Sequence, residues 1–286
     1  MDLKRALRDL QQAERRDDRG GAPVAKAALI EIFHSVQGEG RFVGVPMTFV
    51  RAATCPLRCL YCDTPHSYQA QPRFPVRLGV REQQEPNPVT SQRAAELVRL
   101  VASSAEQGVR TPRVSITGGE PLAVPEFVRE LGRALRDKGM RVHLETAAVH
   151  PEALAKCIDQ VDHLSADHKL PETLGAPVDA SLALPPGGSY GPRHLQCCEI
   201  ALRRGASVDV KIVLTDRVTD ASFDRALADL QPVRDKILLV LQPVTPFGAV
   251  TRTLPRTDLE RFVATALRQQ FDVRVLPQVH KALQVP

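Results

Sequence analysis

The chain has 286 residues, 43% hydrophobic and 25% charged, with a formal charge of +5, the profile of a soluble globular domain with a sizeable core. No apolar run approaches the roughly 18 residues that span a bilayer, and the charged stretch Met1–Gly21 lacks the apolar centre of a secretory signal. The modest positive balance excludes a nucleic-acid-binding arm and favours at most an anionic small substrate, while six cysteines, three of them clustered, fit a reducing cytoplasm better than a disulfide scaffold.

Residues 1–24 read as a charged appendage with a short helix over Leu3–Arg16, and residues 25–286 as the core. A strand is expected over Ala28–Phe33, then the glycine-rich turn Gln37–Gly40, then a strand over Met47–Val50. Residues 69–90, rich in Pro, Gln and Arg, read as a surface insertion. The spacing then predicts a helix over Ser91–Gln107 stopped at Gly108, a strand over Arg113–Thr117, a helix over Glu126–Lys138, a strand over Arg141–Glu145 and a short helix over Pro151–Asp159. A strand over Val161–Ser165 follows, then a Pro- and Gly-rich excursion over Leu170–Pro192, a helix over Arg193–Arg204 and a strand over Ser207–Leu214. Helix Ala221–Leu230, strand Lys236–Leu241, helix Asp258–Gln269 and strand Asp272–Val275 close the series. Strands alternating with helices about every 30 residues indicate an α/β fold of parallel βαβ units. The repeats are too few for a full eight-fold barrel, so a partial, open βα barrel is expected.

Two segments carry chemistry. Cys55, Cys59 and Cys62 share one short loop, and soft thiolates select zinc, copper(I) or iron–sulfur centres. A structural zinc needs four closed ligands, and here the fourth could only be His66 or a distant residue. Three thiolates instead suit a 4Fe–4S cluster with one iron open for a ligand. The turn Thr117-Gly-Gly-Glu-Pro121 lies at the end of an expected strand; its glycines allow close backbone approach to a ligand, and Glu120 with the nearby peptide groups could grip an amino-acid-like ammonium and carboxylate.

The cysteine triplet followed by Gly-Gly-Glu-Pro resembles the radical S-adenosylmethionine superfamily. Within it, Glu31–Gly40, Phe49–Arg51, Cys62-Asp-Thr64, Leu144-Glu-Thr146, Ser165–Lys169, Leu241-Gln-Pro243 and Pro277–Lys281 resemble the 7-carboxy-7-deazaguanine synthase family. The resemblance implies ring contraction of 6-carboxy-5,6,7,8-tetrahydropterin to 7-carboxy-7-deazaguanine with loss of ammonia, and three cofactors: a 4Fe–4S cluster, S-adenosyl-L-methionine and magnesium. It implies that Cys55, Cys59 and Cys62 ligate the cluster and that Thr64 ligates magnesium. Tyr61, Asp63, Gly119, Ser165, Ala166, Asp167, Gln242, Pro243, Val244 and Thr245 would touch adenosylmethionine. Val36, Gln37, Gly38, Glu39, Arg51, Thr117 and Pro286 would touch the pterin. A guanidinium such as Arg51 suits a carboxylate because it can bind bidentately. A homodimer, a flavodoxin- or ferredoxin-type electron donor and a cytoplasmic location are further expectations.

Two alternatives stay open. A glycyl-radical-enzyme activase would share the cluster without a use for Glu39, Arg51 and Thr64, and a zinc-stabilised binding module would carry no redox chemistry. His143 and His163 are expected as satisfied core or rim groups, and Cys157 and Cys197 as buried small hydrophobes. Lys169 or Lys281 could meet an anion. The extra length at 1–24, 69–90 and about 170–192 suits lids, dimer contacts or docking surfaces. Pro56 and Ala147 stand where the family more often has Asn and a small polar residue, which leaves every ligand in place.

Overall fold

A computed structural model describes residues 24–104 and 112–285. The expected helix over Leu3–Arg16, the helix end at Gln107–Gly108 and Pro286 lie outside the described residues. The strands are β1 (Lys26–Ala27), β2 (Leu29–Val36), β3 (Pro46–Ala52), β4 (Arg73–Leu78), β5 (Arg81–Pro86), β6 (Val89–Thr90), β7 (Arg113–Gly118), β8 (Arg141–Thr146), β9 (His163–Asp167), β10 (Ser207–Leu214), β11 (Ile237–Pro243) and β12 (Val273–Val275). The helices are α1 (Ser91–Ser104), α2 (Pro125–Arg136), α3 (Pro151–Cys157), α4 (Gly191–Arg203), α5 (Asp220–Leu230), α6 (Arg256–Arg268) and α7 (Val279–Leu283).

One ten-stranded sheet runs β12-β11-β10-β9-β8-β7-β3-β2-β4-β5, and from β3 to β12 every neighbouring pair is parallel. Successive parallel strands sit side by side, each reached through a crossover helix. Right-handed crossovers then place all these helices on one side, which curls the sheet toward a barrel rather than winding it on both faces. The end strands β12 and β5 do not pair with each other. The barrel is therefore open, as expected from the number of repeats.

Helix periodicity supplies the outer half of the core. In α2, Phe127, Val128, Leu131 and Leu135 fall on one stripe and are buried. They meet Val114, Ile116, Val142 and Leu144 of β7 and β8 in one continuous cluster with Leu97, Leu154, Cys157, Cys197 and Phe223. Among the described residues no helix is long and apolar enough to cross a membrane.

Two insertions differ from their expected character. Residues 73–86 form a β-hairpin at the edge of the main sheet, with Val76 in register with Ile32. Only Phe74 and Val76 are buried on it as apolar residues, too short an alternation to stand out among Arg, Gln and Glu. The 170–192 excursion is irregular, with single turns at Pro171–Thr173 and Ala180–Leu182, yet it packs inward: Leu182 and Tyr190 are buried against Leu57 of the cysteine loop. β9 starts at His163 rather than Val161, because Ile158–Gln160 forms a tight turn closed by Val161 N donating to Ile158 O at 2.9 Å.

Candidate active site

Strand register alone assembles the wall of a central cavity. β2 and β3 set Glu31 opposite Arg51 and Phe33 opposite Phe49, and the two-residue period of a strand sends these side chains to the same face. The two phenyl rings stack with centroids 5.1 Å apart and 13° between planes. Arg51 is in turn level with Thr117, Glu145 with Ser165, Ser165 with Asp209, and Asp167 with Lys211. Arg51, Thr117, Glu145, Asp167 and Lys211 occupy the C-terminal half of their strands, where loops converge in barrels.

Below them lies a buried polar floor. His163 Nε2 and Asp209 Oδ1 are 2.5 Å apart, Ser165 donates to Asp209 Oδ2 at 3.0 Å, and His143 Nδ1 lies 3.1 Å from Ser115 Oγ. The Phe42 ring meets both imidazoles edge-on. Burial pushes His143 down to about 4, so it is neutral at pH 7. Burial alone would raise the Asp209 carboxyl, but the hydrogen bond and charge of His163 hold it below the usual carboxylate range. His143 and His163 are thus satisfied core groups, as expected, and Cys157 and Cys197 are buried in the main cluster.

The cysteine loop leaves β3 and caps the cavity. Cys55, Cys59 and Cys62 are half-buried, free of disulfides, and line one space of about 570 Å³. Arg58 curls the loop by donating to the carbonyls of Cys55 and Leu57, both at 2.7 Å. The 170–192 excursion braces the loop from behind: Leu60 N donates to Thr173 O, Gly175 N to Arg58 O and Val178 N to Pro56 O. Burial pushes the Cys55 thiol up to about 12 and raises Cys59, so these sulfurs ionise only with a metal charge beside them. Among the described residues no three His, Cys, Asp or Glu side chains converge as ligands of one ion. Thiolates of a cube need not converge, since each takes a different iron, and the donor set fits a cluster on that ground.

The Gly-Gly-Glu-Pro turn needs its glycines. Gly118 has φ +121°, and a Cβ on Gly119 would fall 1.9 Å from Thr54 O. Gly119 lines the cavity beside the cysteine loop. Glu120, however, is not available to a ligand. It is 1% exposed, and its carboxylate accepts from Leu122 N at 2.9 Å, Thr146 Oγ1 at 2.5 Å and Ala147 N at 2.8 Å. It ties β7 to β8, a correction to the expectation that it grips an ammonium.

The turn after β2 forms another wall. Val36, Gln37, Gly38 and Glu39 line the cavity with Arg51 and Thr117. Gln37 donates to Glu145 at 2.8 Å and accepts from Glu39 N at 3.0 Å. Glu39 pairs with Lys211, whose ammonium also lies 3.5 Å from Asp167. Burial would raise the Glu39 carboxyl, but the charge and hydrogen bond of Lys211 hold it at about 2. Lys169 closes a second pair with Asp167 at 2.6 Å and reaches the Tyr61 hydroxyl at 3.2 Å. Asp63 pairs with Lys281 at 2.8 Å. Thr64 makes no capping bond, and its hydroxyl lies 3.9 Å from Cys62 Sγ.

Among the adenosylmethionine candidates, Tyr61, Asp63, Gly119, Ser165, Asp167, Gln242 and Val244 line the cavity. Asp167 Oδ1 and Gln242 Oε1 are buried without a partner, acceptors that suit a ligand's N–H and O–H donors. Ala166 is instead packed in the main core, because it points away from its neighbours' face, and Pro243 and Thr245 are outside the lining. Residues not anticipated there include Lys211, Glu145, Arg77 and Gln278. Charged side chains at alternate positions of a buried strand, Asp209 and Lys211 in β10, were a signal for the first; the others needed the fold.

The radical SAM superfamily profile matches residues 50–230. A 7-carboxy-7-deazaguanine synthase of Methanopyrus kandleri is 35% identical over 268 residues, covering 91% of this chain and 95% of its own. One from Geobacter sulfurreducens is 36% identical over 257 residues, covering 89% and 96%. In fold, the crystal structure of QueE from Escherichia coli superposes with a TM-score of 0.56 at 22% identity, covering 87% of this chain and 93% of that one. With its cysteine loop, glycine turn and open barrel in this arrangement, the chain belongs to the radical SAM superfamily and, within it, to the 7-carboxy-7-deazaguanine synthase family.

Proposed function

We propose that this chain catalyses the ring contraction of 6-carboxy-5,6,7,8-tetrahydropterin to 7-carboxy-7-deazaguanine with release of ammonia. The observation that carries this reading is a single cavity shared by three free half-buried cysteines and by Glu39, Arg51 and Thr117. Cys55, Cys59 and Cys62 would hold the 4Fe–4S cluster. Bound there, cluster and adenosylmethionine would supply the one-electron chemistry that removes a hydrogen atom from the substrate.

The chain's own groups then have distinct tasks. Asp167 Oδ1 and Gln242 Oε1 accept from the cofactor's ammonium, hydroxyl or amino donors, with Tyr61, Asp63, Gly119, Ser165 and Val244 around them. Glu39, kept ionised by Lys211, accepts from the paired N–H groups of an aminopyrimidinone edge. Arg51, fixed through Nε by Glu31, turns its terminal nitrogens to a carboxylate or ring carbonyl. Thr64 would hold a magnesium ion, which keeps several waters and takes few protein oxygens, and the ion would supply positive charge to orient the substrate carboxylate. A flavodoxin- or ferredoxin-type protein delivers the electron, and the enzyme works as a homodimer.

The test is anaerobic reconstitution with iron and sulfide, followed by turnover with carboxypterin, adenosylmethionine and a strong reductant. The expected result is the deazaguanine chromophore with ammonia in equal amount. Protein carrying about four irons per chain that yields neither would overturn the proposal.

A further inference from the structure

The hairpin β4–β5 follows the cysteine loop, outside every motif that carries the family resemblance. Phe74 and Val76 are buried beneath it, so the strand period turns Arg77 to the opposite face, at the wall of the central cavity. There Arg77 Nη1 lies 2.8 Å from Glu31 Oε2, while the other oxygen of the same carboxylate takes Arg51 Nε at 2.9 Å. Both guanidiniums stand over Phe33, with their carbons 5.8 and 5.5 Å from the ring centroid. Among the described residues, Nη2 of Arg77 and both terminal nitrogens of Arg51 have no hydrogen-bond partner.

Ion pairs tie up the lysines around the cavity. Lys169 and Lys211 face Asp167, Lys211 also faces Glu39, and Lys281 faces Asp63. Arg51 and Arg77 share the carboxylate of Glu31, whose side chain is 12% exposed, and Arg77 Nε also lies 3.6 Å from Glu82. The remaining donors of both guanidiniums stand beside the stacked Phe33–Phe49 pair.

We infer that Arg77 is a positioning and specificity-determining residue for a planar heteroaromatic carboxylate. It holds Glu31 from the side opposite Arg51, so that Arg51 presents its terminal nitrogens to the cavity, and it offers its own Nη2 as a further donor to the same anion. The inference rests on the pterin-carboxylate reading of the site above. Lysine cannot substitute fully, because a point charge cannot grip Glu31 and a ligand oxygen through one planar fork. Arg77 is 40% exposed, so its removal leaves the core intact.

The experiment titrates fluorescent pterin-6-carboxylate, and separately pterin without the carboxylate, into the reconstituted full chain and its Arg77→Ala and Arg77→Lys variants. Loss of a charge-assisted contact to the carboxylate should weaken pterin-6-carboxylate binding by roughly 10- to 100-fold in Arg77→Ala. Arg77→Lys should fall between, and the affinity for pterin should stay within about twofold of the parent. In turnover, KM for carboxypterin should rise far more than kcat falls. Equal weakening of both ligands, or no weakening of either, overturns the inference even where the parent chain makes product. A selective loss in a chain that never turns over carboxypterin supports Arg77 as a carboxylate selector and overturns the proposed reaction instead.

Discussion

Gln278 donates from its side-chain amide to Glu39 at 2.8 Å, and the same nitrogen lies 3.1 Å from Asp63. The turn after β2 and the cysteine loop are thereby tied through a third segment, which α7 continues. The backbone joins in, with Val279 N donating to Gly38 O at 3.0 Å. Gln278→Ala should raise KM for carboxypterin about tenfold, the worth of a hydrogen bond to a charged group, while iron content stays at the parent level. Gly38→Ala should act in the same direction, because its new methyl would fall 2.1 Å from His280 Nδ1. Steady-state kinetics with iron analysis check both, and an unchanged KM in both variants would remove this role for the segment.

Glu120 is predicted to matter for stability first. Its buried carboxylate satisfies two backbone N–H groups and the Thr146 hydroxyl. Glu120→Ala leaves these donors without a partner, which should cost about 3 kcal/mol or more. Urea unfolding of the metal-free chain measures it. A loss under about 0.5 kcal/mol, the range of ordinary surface changes, would show that the tie is not structural.

Cys59→Ala should abolish cluster assembly and with it cofactor cleavage. Thr64→Ala should keep the cluster, since its hydroxyl caps nothing and lies 3.9 Å from the Cys62 sulfur, and should lose the response to magnesium. Iron content, visible absorbance and rate against magnesium concentration separate the two variants. A full magnesium response in Thr64→Ala counts against that ligand.

Stability should fall as pH drops below neutrality. Burial lowers His143 and His168 each to about 4 and takes His194 well below its ordinary value. The unfolded chain binds these protons near pH 6.5, whereas the folded chain resists them. The stabilisation is thus complete above pH 6.5 and is lost as pH falls through about 4. Each of His143 and His168 contributes up to roughly 3 kcal/mol. Glu39, held at about 2, adds a further loss between its unfolded value near 4.5 and pH 2. Urea midpoints at pH 7, 6 and 5 should decline, and less steeply in His168→Gln; parallel slopes would show that His168 does not titrate this way.

Local pattern was enough for much of the architecture. The β10 strand over Ser207–Leu214 was expected with the bounds it has, because Val208, Val210, Ile212 and Leu214 at alternate positions between a helix-ending glycine and a polar turn admit few alternatives. The helices that were expected are displaced by only a few residues at their described ends, where capping rather than periodicity decides, whereas the short α7 was not expected. The hairpin over 73–86 was hidden, since an edge hairpin buries a single short face.

By itself the sequence determined the chemistry available: three thiols within one loop, two glycines at a strand end, and a Gln-Gly-Glu-Gly turn. These are short-range features, and spacing along the chain reports them directly. Only the tertiary structure decided who faces whom. Lys211 meets Glu39 across 172 positions and Gln278 meets it across 239, Arg77 arrives from an edge hairpin, and Glu120 turns away from the ligand space to bind Thr146 and Ala147. The physical reason is register: in a parallel sheet each inward side chain acquires its neighbours from strands whose alignment is set by the packing of the crossover helices, which spacing within one segment does not record.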